Sequence, residues 1–145
     1  MLLILEGLDK CGKTTFAQKF IDCAEIIHST KHDDAFIVLQ NAKKVVESGG
    51  FVILDRSFLS EMTYGPVYRN ENRITHAKIM RIKKLLSKIP YAILYFSRPD
   101  DTISDYDSQD EFEKEPEKLM LVKKLYEQCV EKYKNVFNIY EIQYK

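Results

Sequence analysis

The chain has 145 residues and a mass of 17.0 kDa, is 45% hydrophobic and holds only 5 glycines and 4 prolines, which fits one domain with a sizeable core. Its 22 basic and 22 acidic side chains cancel, so the bulk charge advertises neither a nucleic-acid nor a membrane surface. Cys11, Cys23 and Cys129 form no CxxC or metal-ligand spacing, which argues against a zinc site or a disulfide scaffold and for reduced thiols in a cytoplasm.

The first element is a short apolar run, Leu2 to Leu5. It lacks a basic n-region and a cleavage site, so it reads as a strand rather than a signal peptide, and no stretch is long enough to span a membrane. The run leads into EGLDKCGKTT, with Gly7, four residues, Gly12, Lys13 and Thr14. A glycine-rich turn between a buried strand and a helix N-terminus is the phosphate-binding loop pattern. Glycines let the backbone wrap an anion with no Cβ in the way, so successive N–H groups and the positive helix end converge on it. In this pattern Lys13 meets the β and γ phosphates and the Thr14 hydroxyl holds Mg²⁺. Cys11 lies inside the loop and reads as a small filler.

Phe16, Ala17, Phe20 and Ile21 recur at helical spacing, which predicts a first helix from Lys13 to Asp22. Residues 24–28, AEIIH, read as a second strand, with His28 as its polar end rather than a ligand contact. Asp33 or Asp34 can cap a helix carrying Phe36, Leu39, Ala42, Lys43 and Val46, which stops at Gly49-Gly50. Phe51 to Leu54 is then a buried strand, followed by Asp55-Arg56-Ser57. A carboxylate at the carboxyl end of a parallel strand sits where ligands bind in open α/β sheets. There Asp55 can hold Mg²⁺ or accept a proton from an attacking hydroxyl, and Arg56 is a fork-shaped donor for a second phosphate.

Ser57 to Arg73 is dense in aromatic and apolar residues, and its Gly65-Pro66 pair predicts a bend between Tyr64 and Tyr68. The aromatic faces suit a planar base and Glu61, Arg69 and Arg73 offer polar contacts, although part of the aromatic set belongs in the core. Thr75 caps a helix with the stripe Ile79, Ile82, Leu85 and Leu86, whose lysines form a solvated face, ending near Ile89-Pro90. Tyr91 to Phe96 is another buried strand. Residues 98–115 read as an acidic flap that begins at Arg98 and Pro99. Pro116 opens a last helix bearing Leu119, Val122, Leu125 or Tyr126, Cys129 and Tyr133, and Val136 to Ile142 closes the chain as a fifth strand. Strands separated by helices give an α/β fold over residues 1–145: a three-layer P-loop NTPase sandwich, with a five-stranded parallel sheet and helices on both faces.

The runs LEGLDKCGKTT at 5–15, VILDRS at 52–57 and SEMTYGPVYR at 60–69 resemble, in the same order, those of the thymidylate kinase and deoxynucleoside kinase group, phage-type members in particular. The resemblance covers nearly the whole chain. It implies that Gly7, Cys11, Gly12, Lys13, Thr14 and Thr15 hold ATP, with Mg²⁺ on Thr14 and Asp55. Asp9 would lie near the acceptor sugar, Arg56 on the acceptor phosphate, and Tyr64, Tyr68 and Arg69 in the acceptor wall. The implied reaction is in-line transfer of the γ-phosphoryl group to a nucleotide or nucleoside, most simply a deoxythymidylate-like one. A cytoplasmic location follows, the host cytoplasm if the chain is viral, and related kinases are often homodimers.

The chain departs from that pattern in one respect. Thymidylate kinases usually place arginines in the loop or flap to neutralise the transferred group, whereas Gly7 to Thr15 has none and the flap is acidic. Arg98, or an arginine of the basic segment 69–88, is left for that role. The chain is also short for the family, and an open acceptor site would suit hydroxymethylated bases or ends in DNA as an alternative acceptor. A nucleotide-gated binding module without transfer is a third reading.

Overall fold

The architecture is taken from a computed structural model that describes residues 1–8, 11–30, 32–99 and 116–143. Five strands, β1 (Leu2–Gly7), β2 (Glu25–His28), β3 (Val52–Asp55), β4 (Tyr91–Ser97) and β5 (Ile139–Gln143), form one parallel sheet in the order β2-β3-β1-β4-β5. Between them run α1 (Lys13–Gln18), α2 (Ala35–Glu47), α3 (Phe58–Tyr64), α4 (His76–Leu86) and α5 (Pro116–Tyr133). The successive residues Ile4, Leu5 and Glu6 of β1 are all fully buried. Neighbouring strand residues point to opposite faces, so both faces of the sheet are covered.

Caps set the helix boundaries where the sequence offered them. Asp34 precedes α2 in extended conformation, and its carboxylate accepts from the Phe36 and Ile37 N–H groups at 2.9 and 3.1 Å. Thr75 does the same for α4 through the Lys78 N–H, at 3.2 Å. The apolar stripes at 79, 82, 85 and 86 and at Leu119, Val122 and Tyr126 are buried as their spacing requires, and it is Tyr126 rather than Leu125 that enters the core.

Three boundaries differ from the sequence expectation. The first helix ends at Gln18 instead of Asp22, because the chain tightens into three-residue turns: Phe20 N–H donates to Ala17 and Cys23 N–H to Phe20, both at 3.0 Å. That tightening packs Phe20 between Phe16 and Phe51, at centroid distances of 5.3 and 5.5 Å. The expected bend at Gly65-Pro66 is instead a π-helical turn, Gly65–Arg69, continuing directly from α3. Pro66 has no N–H to continue the helical ladder, and a wider turn absorbs the missing bond. Finally, β5 starts at Ile139, since residues 136 and 137 both donate backbone N–H groups to the Tyr133 carbonyl and close α5.

β1 and β3 are neighbours whose onward connections leave toward opposite edges of the sheet, to β2 and to β4. The carboxyl end between two such strands is where open α/β sheets form their ligand crevice. Gly7 ends β1 there with φ +131°, paired with Phe96 of β4, and a Cβ on it would overlap the Phe96 carbonyl oxygen. Gly7→Ala is therefore expected to destabilise the protein by about 2 kcal/mol or more through backbone clash and strain together. Urea unfolding checks this, and an unchanged midpoint would mean that β1 and β4 can separate at this point.

Candidate active site

Strand register builds the site. Leu5 lies opposite Asp55 and Gly7 opposite Phe96, so the segment after β1 emerges between Asp55-Arg56 on one side and Ser97-Arg98 on the other. Gly12, at φ +94°, turns the chain into α1 in a left-handed conformation that suits glycine. Lys13 is nearly buried, and its ammonium donates to the carbonyls of Gly7 and Leu8, at 2.8 and 2.5 Å. Thr14 and Thr15 are exposed on the first turn of α1, while Cys11 is buried beneath the loop as filler. Asp9 lies outside the described residues, as do residues 100–115 of the flap, and Arg98 is half-buried at the end of β4.

Across the crevice, Asp55 binds His28 of β2, with Nδ1 donating to Oδ2 at 2.9 Å. Its other oxygen, Oδ1, is buried and has no hydrogen-bond partner among the described residues. Arg56 is held at φ +73° by its N–H donating to the Leu5 carbonyl at 2.8 Å. A non-glycine residue in the left-handed region stores strain, and such positions cluster at functional sites. The Arg56 guanidinium carbon lies 4.6 Å from the Tyr64 ring centroid, Tyr64 stacks on Tyr68 at 5.9 Å, and the Lys118 ammonium lies 5.2 Å from the Tyr68 centroid. The result is a cation–aromatic–aromatic–cation stack running from the crevice to the first turn of α5.

A Mg²⁺ ion beside the phosphate loop fits these residues. The buried, unpartnered Asp55 Oδ1 is the kind of hard acceptor that such an ion or its water satisfies, and Thr14 presents a hydroxyl at the start of α1. No group of three or more His, Cys, Asp or Glu side chains among the described residues could cage a metal.

No model of a known protein family matches the sequence, and no curated protein matches it. Solved structures do match. YorR of Bacillus subtilis, solved in complex with phosphorylated GDP, aligns with a TM-score of 0.73 at 19% identity, over 99% of this chain and 85% of that one. Thymidylate kinase from Candida albicans gives 0.64 at 16% identity, over 99% and 84%. Deoxyadenosine kinase from M. mycoides with bound dCTP gives 0.60 at 17% identity, over 99% and 90%. The fold is that of the thymidylate kinase-like P-loop kinases.

On this kinase fold the remaining sequence candidates fall into two groups. Tyr64 and Tyr68 line the stack described above. Glu61, Arg69 and Arg73 instead bind one another: the Glu61 carboxylate accepts from Arg69 at 2.8 Å and from Arg73 through several N–H groups, the shortest also 2.8 Å. With this pairing they tie α3 to the π-helical turn and to the segment that precedes α4. Glu61 and Arg73 also border a cavity of about 110 Å³, together with Asp33, Asp34, Phe36 and Lys78.

Sequence reasoning passed over Glu6, which the kinase fold makes conspicuous. It is fully buried, and its carboxylate accepts from the Ser57 N–H at 2.8 Å, from the Ser60 hydroxyl, and from Tyr126 at 3.2 Å. It thus ties β1 to the segment after β3 and to α5. Burial pushes its pKa up to about 7, against the opposing pull of Ser60, Ser57, Tyr126 and the Arg56 charge. The signal in the sequence was a lone acid in an otherwise apolar strand.

This acid sets a direction for stability against pH. The folded protein keeps the Glu6 proton up to about 7, while the unfolded chain releases it near 4.5. Unfolding releases a proton between those values, so this contribution is complete below 4.5, declines as pH rises, and is gone above 7. The decline amounts to roughly 3 kcal/mol. Glu6→Gln mimics the neutral acid and removes the decline, which urea titrations at about pH 5 and about pH 8 would read. Parallel pH slopes in the two proteins would show that Glu6 is not the source.

Proposed function

We propose that the protein is an ATP- and Mg²⁺-dependent kinase that phosphorylates a deoxynucleoside monophosphate, with deoxythymidylate-like acceptors first among the candidates. The observation that carries this reading is Arg56, held in a strained left-handed conformation beside the loop and stacked on Tyr64. A charged fork fixed at that point suits an acceptor that already carries a phosphate. A nucleoside hydroxyl would need a base to take its proton. Among the described residues of the crevice, however, Glu6 is fully buried with its carboxylate engaged, and Asp55 has Oδ2 held by His28 while its Oδ1 is assigned to the metal in this reading. A phosphate oxygen is already an anion, so it attacks the γ-phosphorus of ATP and displaces ADP with no proton to remove.

In this reading, Thr14 and Asp55 would hold Mg²⁺, which would supply charge neutralisation at the donor phosphates. Lys13 and the loop N–H groups orient the β and γ phosphates, Arg56 holds the acceptor phosphate in line, and Arg98 would offset charge on the transferred group. Tyr64 and Tyr68 offer ring faces to the acceptor, and Arg69 and Arg73 pair with Glu61.

The test is ADP release from ATP and Mg²⁺ in the presence of a panel of deoxynucleosides and their monophosphates. Release that depends on a monophosphate is expected. Release driven by nucleosides instead would move the acceptor assignment, and ATP consumption unaffected by every acceptor would sink the kinase reading.

A further inference from the structure

We infer that His28 is a positioning residue for Asp55, holding one carboxylate oxygen so that the other is presented to the metal–nucleotide complex. The inference rests on the phosphate-loop reading above and adds to it a residue from β2, a strand the three kinase-like runs do not touch.

Register places His28 directly beside Asp55 across the β2–β3 pair, both at the carboxyl ends of their strands. The next backbone group, the Ser29 N–H, donates to the Asp55 carbonyl at 3.1 Å, so the two strand ends are fastened independently of the side chains. The imidazole then adds a bond of different purpose. Its Nδ1 lies 2.9 Å from Oδ2, and a carboxylate acceptor requires the proton on that nitrogen.

The asymmetry of exposure is informative. The His28 side chain is 65% exposed while that of Asp55 is only 16% exposed. An imidazole lying so open contributes little to the core, so the contact has small value as packing. Its effect falls on Asp55, whose terminal torsion is broad and two-fold until one oxygen is held. With Oδ2 taken by His28, Oδ1 is fixed, and it is this oxygen that is buried without a partner among the described residues. A buried acceptor left open is unfavourable unless something completes it, and a cation or its bound water beside the phosphate loop does so. Partners of this kind, one bond removed from a metal, typically alter metal affinity by about 10- to 100-fold when removed.

The test uses the full-length protein and Mn²⁺ as a paramagnetic probe, titrated in the presence of saturating ATP and read by electron paramagnetic resonance. Three proteins are compared: wild type, His28→Phe, which keeps a ring without the donor, and His28→Asn, whose amide N–H can stand in for Nδ1–H. His28→Phe is expected to weaken Mn²⁺ binding by about tenfold or more, with metal-free ATP affinity and thermal midpoint unchanged. His28→Asn is expected to restore Mn²⁺ affinity to within about threefold of wild type. Equal Mn²⁺ affinity in wild type and His28→Phe overturns the inference and leaves the kinase reading standing. An equal loss of metal-free ATP binding overturns it too, because the ring would then merely shape the edge of the sheet. Absence of ATP binding by the wild type would remove both together.

Discussion

Replacing Lys13 with alanine is expected to slow phosphoryl transfer by about 10³-fold and also to lower stability by about 1–2 kcal/mol. The rate loss follows from removing a cation at the donor phosphates. The stability loss follows from the structure, since the ammonium donates to the Gly7 and Leu8 carbonyls and the side chain is only 4% exposed. From the sequence alone the lysine reads as a purely phosphate-facing group whose loss spares the fold. Its burial means that the same charge also holds the loop together, so both effects come from one substitution. Lys13→Met restores the buried chain length without the donor, so it separates the lost packing from the lost hydrogen bonds to Gly7 and Leu8. Single-turnover ATP transfer and urea unfolding on the two variants are the measurements. A rate retained to within about tenfold in either variant would reject the loop assignment.

The second large effect is at Arg56, where glycine and alanine should part company. Both substitutions remove the guanidinium and should raise the KM for a monophosphate acceptor by about 100-fold, with little change in the KM for ATP. They differ in backbone strain: at φ +73° glycine is at ease and alanine is not. Arg56→Gly is therefore expected to be more stable than Arg56→Ala by about 1 kcal/mol while showing the same rise in acceptor KM. Such a pair separates function from fold at a single position. If both KM values rise together, Arg56 shapes the crevice and does not touch the acceptor.

Much of this was legible in the chain itself. The strand–loop–helix signature at Leu2 to Thr14 placed the crevice, because glycine requirements and apolar periodicity are local properties that the sheet does not override. Asp34 and Thr75 announced their helices for the same reason. What escaped were pairings across the sheet. His28 looks like an ordinary strand end until β2 lies beside β3, and no spacing within the chain reveals that its neighbour is Asp55. Glu61, Arg69 and Arg73 were residue types suited to a ligand, but the π-helical turn brings them into one ion-pair cluster, and that turn depends on how Pro66 is accommodated. Tyr126 is 120 positions from Glu6 in sequence, and only the packing of α5 joins them.

The aromatic stack beside Arg56 also has a spectroscopic consequence. The chain contains no tryptophan and 9 tyrosines, so its ultraviolet emission is dominated by phenol rings. Tyr64, Tyr68, Tyr95 and Tyr126 form one connected group of ring contacts, which begins next to the strained arginine. A ligand entering there disturbs that group first, while rings such as Tyr140 stay 59% exposed at the far edge of the sheet. On the proposed reading, acceptor occupancy is expected to change the native fluorescence, without a dye, a label or an engineered chromophore.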